Sequence, residues 1–182
     1  MEKCIPVVVI KELSETDKIL SALKNNGINC AEITFRTACA AEAIAYACKH
    51  YPDMSIGAGT VINAQQCEAA LAAGAQFIVS PGLSVSVAKI CNERNIPYYP
   101  GCVTPTEIMA ALELGITTVK FFPANVYGGL KAMKALAAPF PQIKFIPTGG
   151  VDRSNIDEFL AWDKIAAIGG SFFVKEALEN AQ

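Results

Sequence analysis

The chain has 182 residues, of which 52% are hydrophobic and 18% are charged, and its formal net charge is -2. This length fits one domain, and so much apolar surface with so little charge excludes a disordered chain. The weakly acidic balance argues against a nucleic-acid-binding surface, and the longest early apolar run, 5–10, is too short to span a membrane. We therefore expect a soluble cytoplasmic protein without nucleic-acid or membrane partners.

The cysteines and the single histidine offer little for metal or triad chemistry. There are seven cysteines, an odd number, at wide spacings and without a C-x-x-C pair, so neither a disulfide framework nor a zinc site is expected. Most of them should be buried thiols in a reducing compartment. His50 ends a helical pattern and is expected to be an ordinary surface residue.

Short apolar runs alternate with amphipathic helical patterns along the whole chain. The predicted strands are 5–10, 30–35, 55–60, 77–82, 98–102, 117–123, 144–150 and 166–171. The predicted helices are 14–26, 38–49, 63–73, 85–94, 104–114, 129–137, 154–160 and 173–180. Strict alternation of strands and helices predicts a parallel sheet joined by right-handed crossovers.

Eight such units are typical of an α/β fold that closes into a (β/α)8 TIM barrel, and we expect residues 1–182 to form one barrel domain. The chain is shorter than the ~200 residues usual for this fold, so the barrel should be compact. Little sequence precedes the first predicted strand. An open, doubly wound sheet is the structural alternative.

Glycines cluster where the predicted strands end, at 57–59, 82, 101, 149–150 and 169–170. In a barrel this end of the strands carries the active site, and glycine allows the backbone to approach a ligand closely. Tight turns alone would also explain the glycines. Five such strand ends on one face favour a ligand site.

Charged residues occur inside two predicted strands, E-I-T-F-R (32–36) and T-T-V-K-F-F-P (117–123). Side chains alternate across a strand, and the apolar set should face the helices. Glu32, Arg36 and Lys120 are then expected to point into the barrel, toward the mouth at the C-terminal ends of the strands. The pattern predicts a lysine, a glutamate and an arginine inside one enclosure.

Two interpretations of Lys120 stay open on the residues alone. Burying an ammonium group is costly unless it is compensated, so an ion pair of Glu32 with Lys120 or with Arg36 could serve only to hold the barrel together. The functional interpretation is an amine kept neutral by burial and a nearby cation such as Arg36, and therefore available as a nucleophile. A lysine nucleophile implies a carbonyl substrate, because its distinctive product is an imine, and Glu32 would then be the general acid and base.

Two further turns suggest a phosphate. P-T-G-G (147–150) and G-G-S (169–171) end the seventh and eighth predicted strands. Loops after these strands often bind phosphate beside a helix N-terminus in this fold. Ordinary strand-to-helix turns are the alternative, and the repeated Gly-Gly pair favours the phosphate.

Segments in chain order resemble the bacterial KDPG/KHG aldolases, class I aldolases that act on 2-keto-3-deoxy-6-phosphogluconate and 4-hydroxy-2-oxoglutarate. They are E-I-T-F-R-T (32–37), G-A-G-T-V (57–61), F-I-V-S-P-G (77–82), V-K-F-F-P-A (119–124), G-G-L-K-A (128–132), P-T-G-G-V (147–151) and I-G-G-S (168–171). The resemblance covers nearly the whole chain. It implies a homotrimer of (β/α)8 barrels that needs no metal or organic cofactor. Relatives usually begin with an extra helix, which this chain is expected to lack.

The resemblance also implies roles for single residues. Lys120 matches the Schiff-base lysine, and Glu32 matches the carboxylate that shuttles protons. Arg36 and Thr60 match the residues that hold the pyruvate-derived carboxylate, and Phe122 matches an aromatic residue beside the imine. The other matched positions are Pro81 in the same pocket, Thr148, which fits the gluconate-type members, and Gly149, Gly150, Gly170 and Ser171 at the phosphate end.

The sequence alone leaves two other functions open. A sugar-phosphate isomerase or synthase on the same barrel would carry similar phosphate turns without needing an imine at Lys120. A sensor of keto acids would keep the pocket without turnover. The resemblance favours the aldolase, with a small 2-keto acid, expected to be phosphorylated, as its substrate.

Overall fold

The computed structural model describes residues 3–181, within which eight strands alternate with eight helices. The strands are β1 Cys4–Val8, β2 Cys30–Thr34, β3 Ser55–Gly59, β4 Ile78–Val79, β5 Tyr98–Tyr99, β6 Thr118–Phe121, β7 Lys144–Pro147 and β8 Ile168–Gly170. The helices are α1 Glu15–Asn25, α2 Ala40–His50, α3 Ala64–Ala72, α4 Val85–Glu93, α5 Pro105–Glu113, α6 Gly129–Ala137, α7 Ile156–Leu160 and α8 Phe172–Glu179.

Every predicted strand and helix corresponds to an observed one, and the alternation is confirmed. The observed strands are shorter than predicted at their C-terminal ends. The fourth and fifth are reduced to two residues each, Ile78–Val79 and Tyr98–Tyr99. Pro81 and Pro100 follow them, and proline has no N–H to donate to a strand ladder.

The strands pair in parallel, and the sheet curls. Six of them form one sheet in the order β5-β4-β3-β2-β1-β8, and β6 and β7 form a second ladder. Single parallel bridges, Gly101 with Lys120 and Thr148 with Gly169, lie at the two seams. The α/β class is confirmed, and the first strand pairs with the last. This order lacks the reversal that marks a doubly wound sheet.

Two apolar layers pack against the strands, one outside the curled sheet and one inside it. The larger layer lies between the sheet and the helices, where α2 contributes the stripe Ala43, Ile44 and Ala47 at helical spacing. The smaller layer fills the lower part of the sheet interior and contains Ile5, Cys30, Phe77, Val79, Ile146 and Ala167. The upper part of the interior is therefore left for polar side chains.

Between Lys3 and Ala181, no helix is long and apolar enough to cross a bilayer. The same range holds no group of three or more His, Cys, Asp or Glu side chains placed to bind a metal ion. His50 is exposed, with Nδ1 2.9 Å from the Tyr46 carbonyl and its ring stacked on the Tyr46 ring. Its place at the end of α2 fits an ordinary surface residue.

Candidate active site

A lysine and a glutamate meet inside the curled sheet. Lys120 is on β6 and Glu32 is on β2, and Lys120 Nζ lies 3.5 Å from Glu32 Oε1. Their side chains are 6% and 3% exposed, respectively. Both point inward, as strand alternation predicts, because their apolar sequence neighbours Ile33 and Val119 face the helices.

The surroundings of Glu32 favour its neutral form. Burial raises the pKa of Glu32 above its ordinary value of 4.5, although the charges of Lys120 and Arg36 oppose the rise. At 3.5 Å the ammonium group is an ion-pair partner rather than a well-formed hydrogen-bond donor, and Oε1 has no hydrogen bond within residues 3–181. A carboxyl group in this state can exchange protons nearer to neutral pH than an exposed one.

Gly59 makes room for the Glu32 side chain. In the ladder between β2 and β3, Glu32 pairs with Gly57 and Thr34 pairs with Gly59. A Cβ atom on Gly59 would nevertheless overlap the carboxylate and Cγ of Glu32. The Glu32 side chain therefore leans along the strand toward its C-terminal end, a path that is open because residue 59 has no side chain.

Arg36 lies at the rim of the site, where its Nε donates a hydrogen bond to Thr60 Oγ1 at 3.0 Å. It is exposed, so the prediction that it is enclosed together with Lys120 needs correction. The reason is that β2 ends at Thr34, and Arg36 belongs to the turn that follows. The two terminal amino groups of a guanidinium are the pair that binds a carboxylate through both oxygens.

Thr60 has a strained backbone, with a φ of 56° in the left-handed region. A β-branched residue there costs on the order of 1–3 kcal/mol. Backbone hydrogen bonds on either side hold it, from Phe35 N–H to the Gly59 carbonyl at 2.7 Å and from Val61 N–H to the Val79 carbonyl at 3.1 Å. Strain of this kind is concentrated at functional sites, and here it places the hydroxyl against Arg36.

A cavity of about 320 Å³ opens above Lys120. The Phe122 ring stands at its side, with its centroid 5.1 Å from Lys120 Nζ. The cavity brings together most of the residues that the sequence singled out. Its full lining is Val7, Val9, Arg36, Lys120, Phe122, Thr148, Gly149, Gly150, Val151, Gly170, Ser171 and Phe172.

The far end of this cavity is built from backbone. Gly150 has a φ of 77°, and a Cβ there would also overlap the Asn125 side chain. A Cβ on Gly170 would overlap the Phe172 ring. Ser171 is exposed immediately before α8, and N–H groups at a helix start attract anions. This end can therefore hold a phosphate or another anion.

The structure places Pro81 outside this cavity, unlike the predicted location. Pro81 lines a separate cavity of about 240 Å³ with Ile62 and Leu83, because β4 ends at Val79 and the chain turns away. Its carbonyl packs against Gly101, where a Cβ would overlap it. Pro81 thus approaches the site through backbone, since Gly101 forms the bridge to Lys120.

A further cavity of about 340 Å³ lies at the opposite, N-terminal end of the strands. It is similar in size to the cavity at Lys120, but its lining holds no lysine, arginine, aspartate, glutamate or histidine side chain. The lining residues are Ile5, Cys30, Ser55, Gln76, Phe77, Pro97 and Tyr99.

Comparison with known proteins shows the family. A family model described as KDPG and KHG aldolase matches residues 1–182. The chain belongs to this aldolase family. Aldolases of this family are lyases. A 2-dehydro-3-deoxy-phosphogluconate aldolase of Treponema pallidum is 45% identical over 172 residues, which cover 94% of this chain and 82% of the relative.

Solved structures of KDPG aldolases share the fold. A Legionella pneumophila KDPG aldolase, with pyruvate captured as a covalent carbinolamine intermediate, is 40% identical with a TM-score of 0.92 and covers 98% of this chain and 87% of its own. A Zymomonas mobilis 2-keto-3-deoxy-6-phosphogluconate aldolase with 3-phosphoglycerate is 36% identical with a TM-score of 0.90. That alignment covers 97% of this chain and 90% of the relative.

In this member of the KDPG and KHG aldolase family, several residues that line the cavity at Lys120 were not predicted from the sequence. Val7 pairs with Glu32 across β1 and β2, but the run V-V-V hides which valine faces the interior. Phe172 covers the backbone end of the cavity, with the Arg153 guanidinium 5.7 Å from its ring centroid. An aromatic residue directly after G-G-S was the available signal for Phe172.

Proposed function

We propose that this chain is a class I aldolase. It cleaves 2-keto-3-deoxy-6-phosphogluconate to pyruvate and glyceraldehyde 3-phosphate, 4-hydroxy-2-oxoglutarate to pyruvate and glyoxylate, or both. The observation that carries the proposal is the buried contact of 3.5 Å between Lys120 Nζ and Glu32 Oε1 beneath an open cavity. The covalent pyruvate carbinolamine in the Legionella relative supports it.

Lys120 is the nucleophile. Its amine attacks the C2 ketone of the substrate, and loss of water leaves an iminium ion that draws electrons from the C3–C4 bond. The site excludes most water, since the lysine side chain is 6% exposed. The Phe122 ring beside Nζ gives the imine an apolar wall.

Glu32 moves the protons. It takes the proton of the C4 hydroxyl, directly or through a water, as the C3–C4 bond breaks and the aldehyde leaves. It then returns a proton to C3 of the enamine on Lys120, and hydrolysis of the resulting imine frees pyruvate. The raised pKa of Glu32 suits a group that must both accept and donate a proton.

Arg36 and Thr60 hold the pyruvate-derived carboxylate at the rim. The hydrogen bond between them, at 3.0 Å, orients the guanidinium fork toward the cavity that Arg36 lines. The phosphate binds at the opposite end of the cavity, on the backbone of Gly149, Gly150 and Gly170 and on Ser171. The bound 3-phosphoglycerate named for the Zymomonas relative supports a phosphate-bearing ligand for this family.

Thr148 and Pro81 support these sites from behind. Thr148 is 6% exposed and lines the cavity, and Gly169 must be glycine because a Cβ there would overlap the Thr148 hydroxyl. Pro81 acts on the pocket through the backbone bridge between Gly101 and Lys120.

We also propose that residues 1–182 form one closed (β/α)8 barrel. At the seam between β5 and β6, Lys120 N–H donates to the Pro100 carbonyl at 2.8 Å and Cys102 N–H donates to the Lys120 carbonyl at 2.9 Å. These bonds support closure. Exposed apolar side chains such as Val85 and Met109 support contact between copies in a homotrimer.

A cytoplasmic location fits the thiols. Cys67 and Cys91 are fully buried thiols whose sulfur atoms lie 3.8 Å apart, within hydrogen-bond distance and not joined by a disulfide, as expected in a reducing compartment.

Imine trapping tests the proposed function. The protein is mixed with pyruvate and reduced with borohydride, and the modified peptide is mapped by mass spectrometry. An adduct on Lys120, absent in Lys120→Met and retained in the exposed-lysine control Lys175→Met, is the expected result. Folded parent protein without an adduct would overturn the class I assignment. Rearrangement of a sugar phosphate without cleavage would then indicate an isomerase or synthase, and binding without turnover would indicate a sensor.

A further inference from the structure

Beyond the residues assigned so far, we infer that Thr34 is a positioning residue that holds the water through which Glu32 takes and gives its protons. This inference rests on the proposed aldolase function. It concerns how the proton reaches Glu32, and not whether Lys120 forms an imine.

The Thr34 hydroxyl is a buried polar group to which the proposed mechanism assigns no role. Thr34 is 0% exposed, and Oγ1 has no hydrogen-bond partner among residues 3–181. A buried hydroxyl without a partner loses its hydrogen bonds to water and gains none in return, so native proteins satisfy nearly all such groups with protein or ordered water. Valine has nearly the same shape as threonine and would avoid this cost. The hydroxyl at this position therefore indicates a partner that no side chain supplies.

The direction of the Glu32 side chain brings the carboxylate to the level of Thr34. Residues 32 and 34 lie on the same face of β2, and Thr34 pairs with Gly59 on β3. Glu32 leans over Gly59, since a Cβ there would overlap its Oε1. Oε1 and the Thr34 hydroxyl are thus two buried oxygens on one interior face, and both lack hydrogen bonds within the described chain.

A single water between these groups would satisfy both. Buried waters usually make about three hydrogen bonds, and the two oxygens supply two of them. The third would go to the reacting atom of the substrate that is bound to Lys120. Lys120 Nζ lies 3.5 Å from Oε1, so the substrate is held close to this water. In cleavage, the C4 hydroxyl proton passes to this water while the water passes a proton to Glu32. In the return step, the neutral Glu32 carboxyl gives a proton to the water as the water protonates C3, so the protons balance.

Thr34→Val tests the inference, and the chain offers a matched control. Thr16, in α1, is also 0% exposed and its hydroxyl also lacks a partner within residues 3–181. Proton transfer is followed as exchange of the pyruvate methyl protons for deuterium in D₂O, alongside kcat as a function of pH. Thr34→Val should slow both exchange and turnover by about 10- to 100-fold, less than the roughly 10²- to 10⁴-fold that the acid–base group itself contributes, because Thr34 only positions the water.

Borohydride trapping of pyruvate on Lys120 should stay intact in Thr34→Val, which separates this inference from the proposed function. Thr34→Ser keeps the hydroxyl and should recover most of the exchange rate. Thr16→Val should leave exchange and turnover at the parent values. Exchange at the parent rate in folded Thr34→Val, or a slow Thr34→Ser variant, would overturn the role. Loss of trapping in the parent protein would instead reject the aldolase chemistry itself.

Discussion

Lys120 Nζ and Glu32 Oε1 lie 3.5 Å apart with both side chains almost inaccessible, although their strands, β6 and β2, are not neighbours in the sheet. The curl of the sheet brings them together. Replacing a buried ion pair by apolar groups is often neutral or stabilising, so stability alone does not explain this pair. Its chemistry is the better explanation.

The first prediction concerns stability and pH. Lys120→Met leaves Glu32 buried without its cation, and the free energy of unfolding should fall by about 3 kcal/mol at pH 8. Burial already raises the pKa of Glu32, and loss of the lysine charge raises it further. The folded state then binds the proton more tightly than the unfolded state. Stability is therefore present at acidic pH and is lost as the pH rises above about 4.5 toward the raised pKa.

Urea unfolding at several pH values measures this effect. The double variant Lys120→Met/Glu32→Gln should be at least as stable as the parent and should lose the pH dependence of Lys120→Met. The surface pair Lys175 and Glu179, at 3.8 Å, is a matched control, and its double removal should change little. A Lys120→Met variant equally stable at pH 5 and pH 8 would contradict the prediction.

The second prediction concerns the pH dependence of turnover. In the proposed mechanism cleavage needs Glu32 as a carboxylate, so kcat/KM, which reports the groups of the free enzyme, should fall on the acid side at a pH above 4.5, because burial raises the pKa of this group. The charge of Arg36 lowers that pKa, so Arg36→Met should move the acid limb to higher pH. Arg94→Met, which removes a surface arginine paired with Glu68, should leave the limb in place. An acid limb unmoved in Arg36→Met would show that Arg36 does not act on Glu32.

The third prediction separates strain from binding at Thr60. Thr60→Gly relieves the left-handed backbone and should not reduce stability, but it removes the hydroxyl that orients Arg36. KM for the 2-keto acid should rise about 10-fold, the cost of roughly one hydrogen bond to a charged group. Asn95 has the same φ of 56° outside the cavity, so Asn95→Gly is the control for backbone relief. Steady-state kinetics measure KM and urea unfolding measures stability in both variants. An unchanged KM in Thr60→Gly would show that Thr60 is not part of the carboxylate site.

The fourth prediction concerns the phosphate end. Gly150→Ala strains a left-handed residue and pushes a methyl group into Asn125. KM for 2-keto-3-deoxy-6-phosphogluconate should rise at least about 10-fold, because the backbone proposed to bind the phosphate moves. KM for 4-hydroxy-2-oxoglutarate, which lacks a phosphate, should change much less. Gly27→Ala carries similar backbone strain with open space around it and serves as the control. Equal effects on both substrates would place the phosphate elsewhere.

Strand periodicity accounts for what could be predicted at the site. Alternating apolar and polar residues in β2 and β6 are enough to predict that Glu32 and Lys120 lie on interior faces. The Gly-Gly turns likewise pointed to the strand ends that form the far wall of the cavity. The position of Arg36 could not be predicted in the same way, because its exposure depends on where β2 stops.

The amino-acid sequence by itself determined the order of strands and helices, the inward faces of β2 and β6 and the glycine turns at the strand ends, because these depend on local periodicity and backbone sterics. The tertiary structure decided the separation of 3.5 Å between Lys120 and Glu32, the path of Glu32 over Gly59 and the buried Thr34 hydroxyl. These features depend on sheet curl and on the register between strands far apart in the chain. Neither the curl of the sheet nor the register between strands can be predicted from the local pattern of residues.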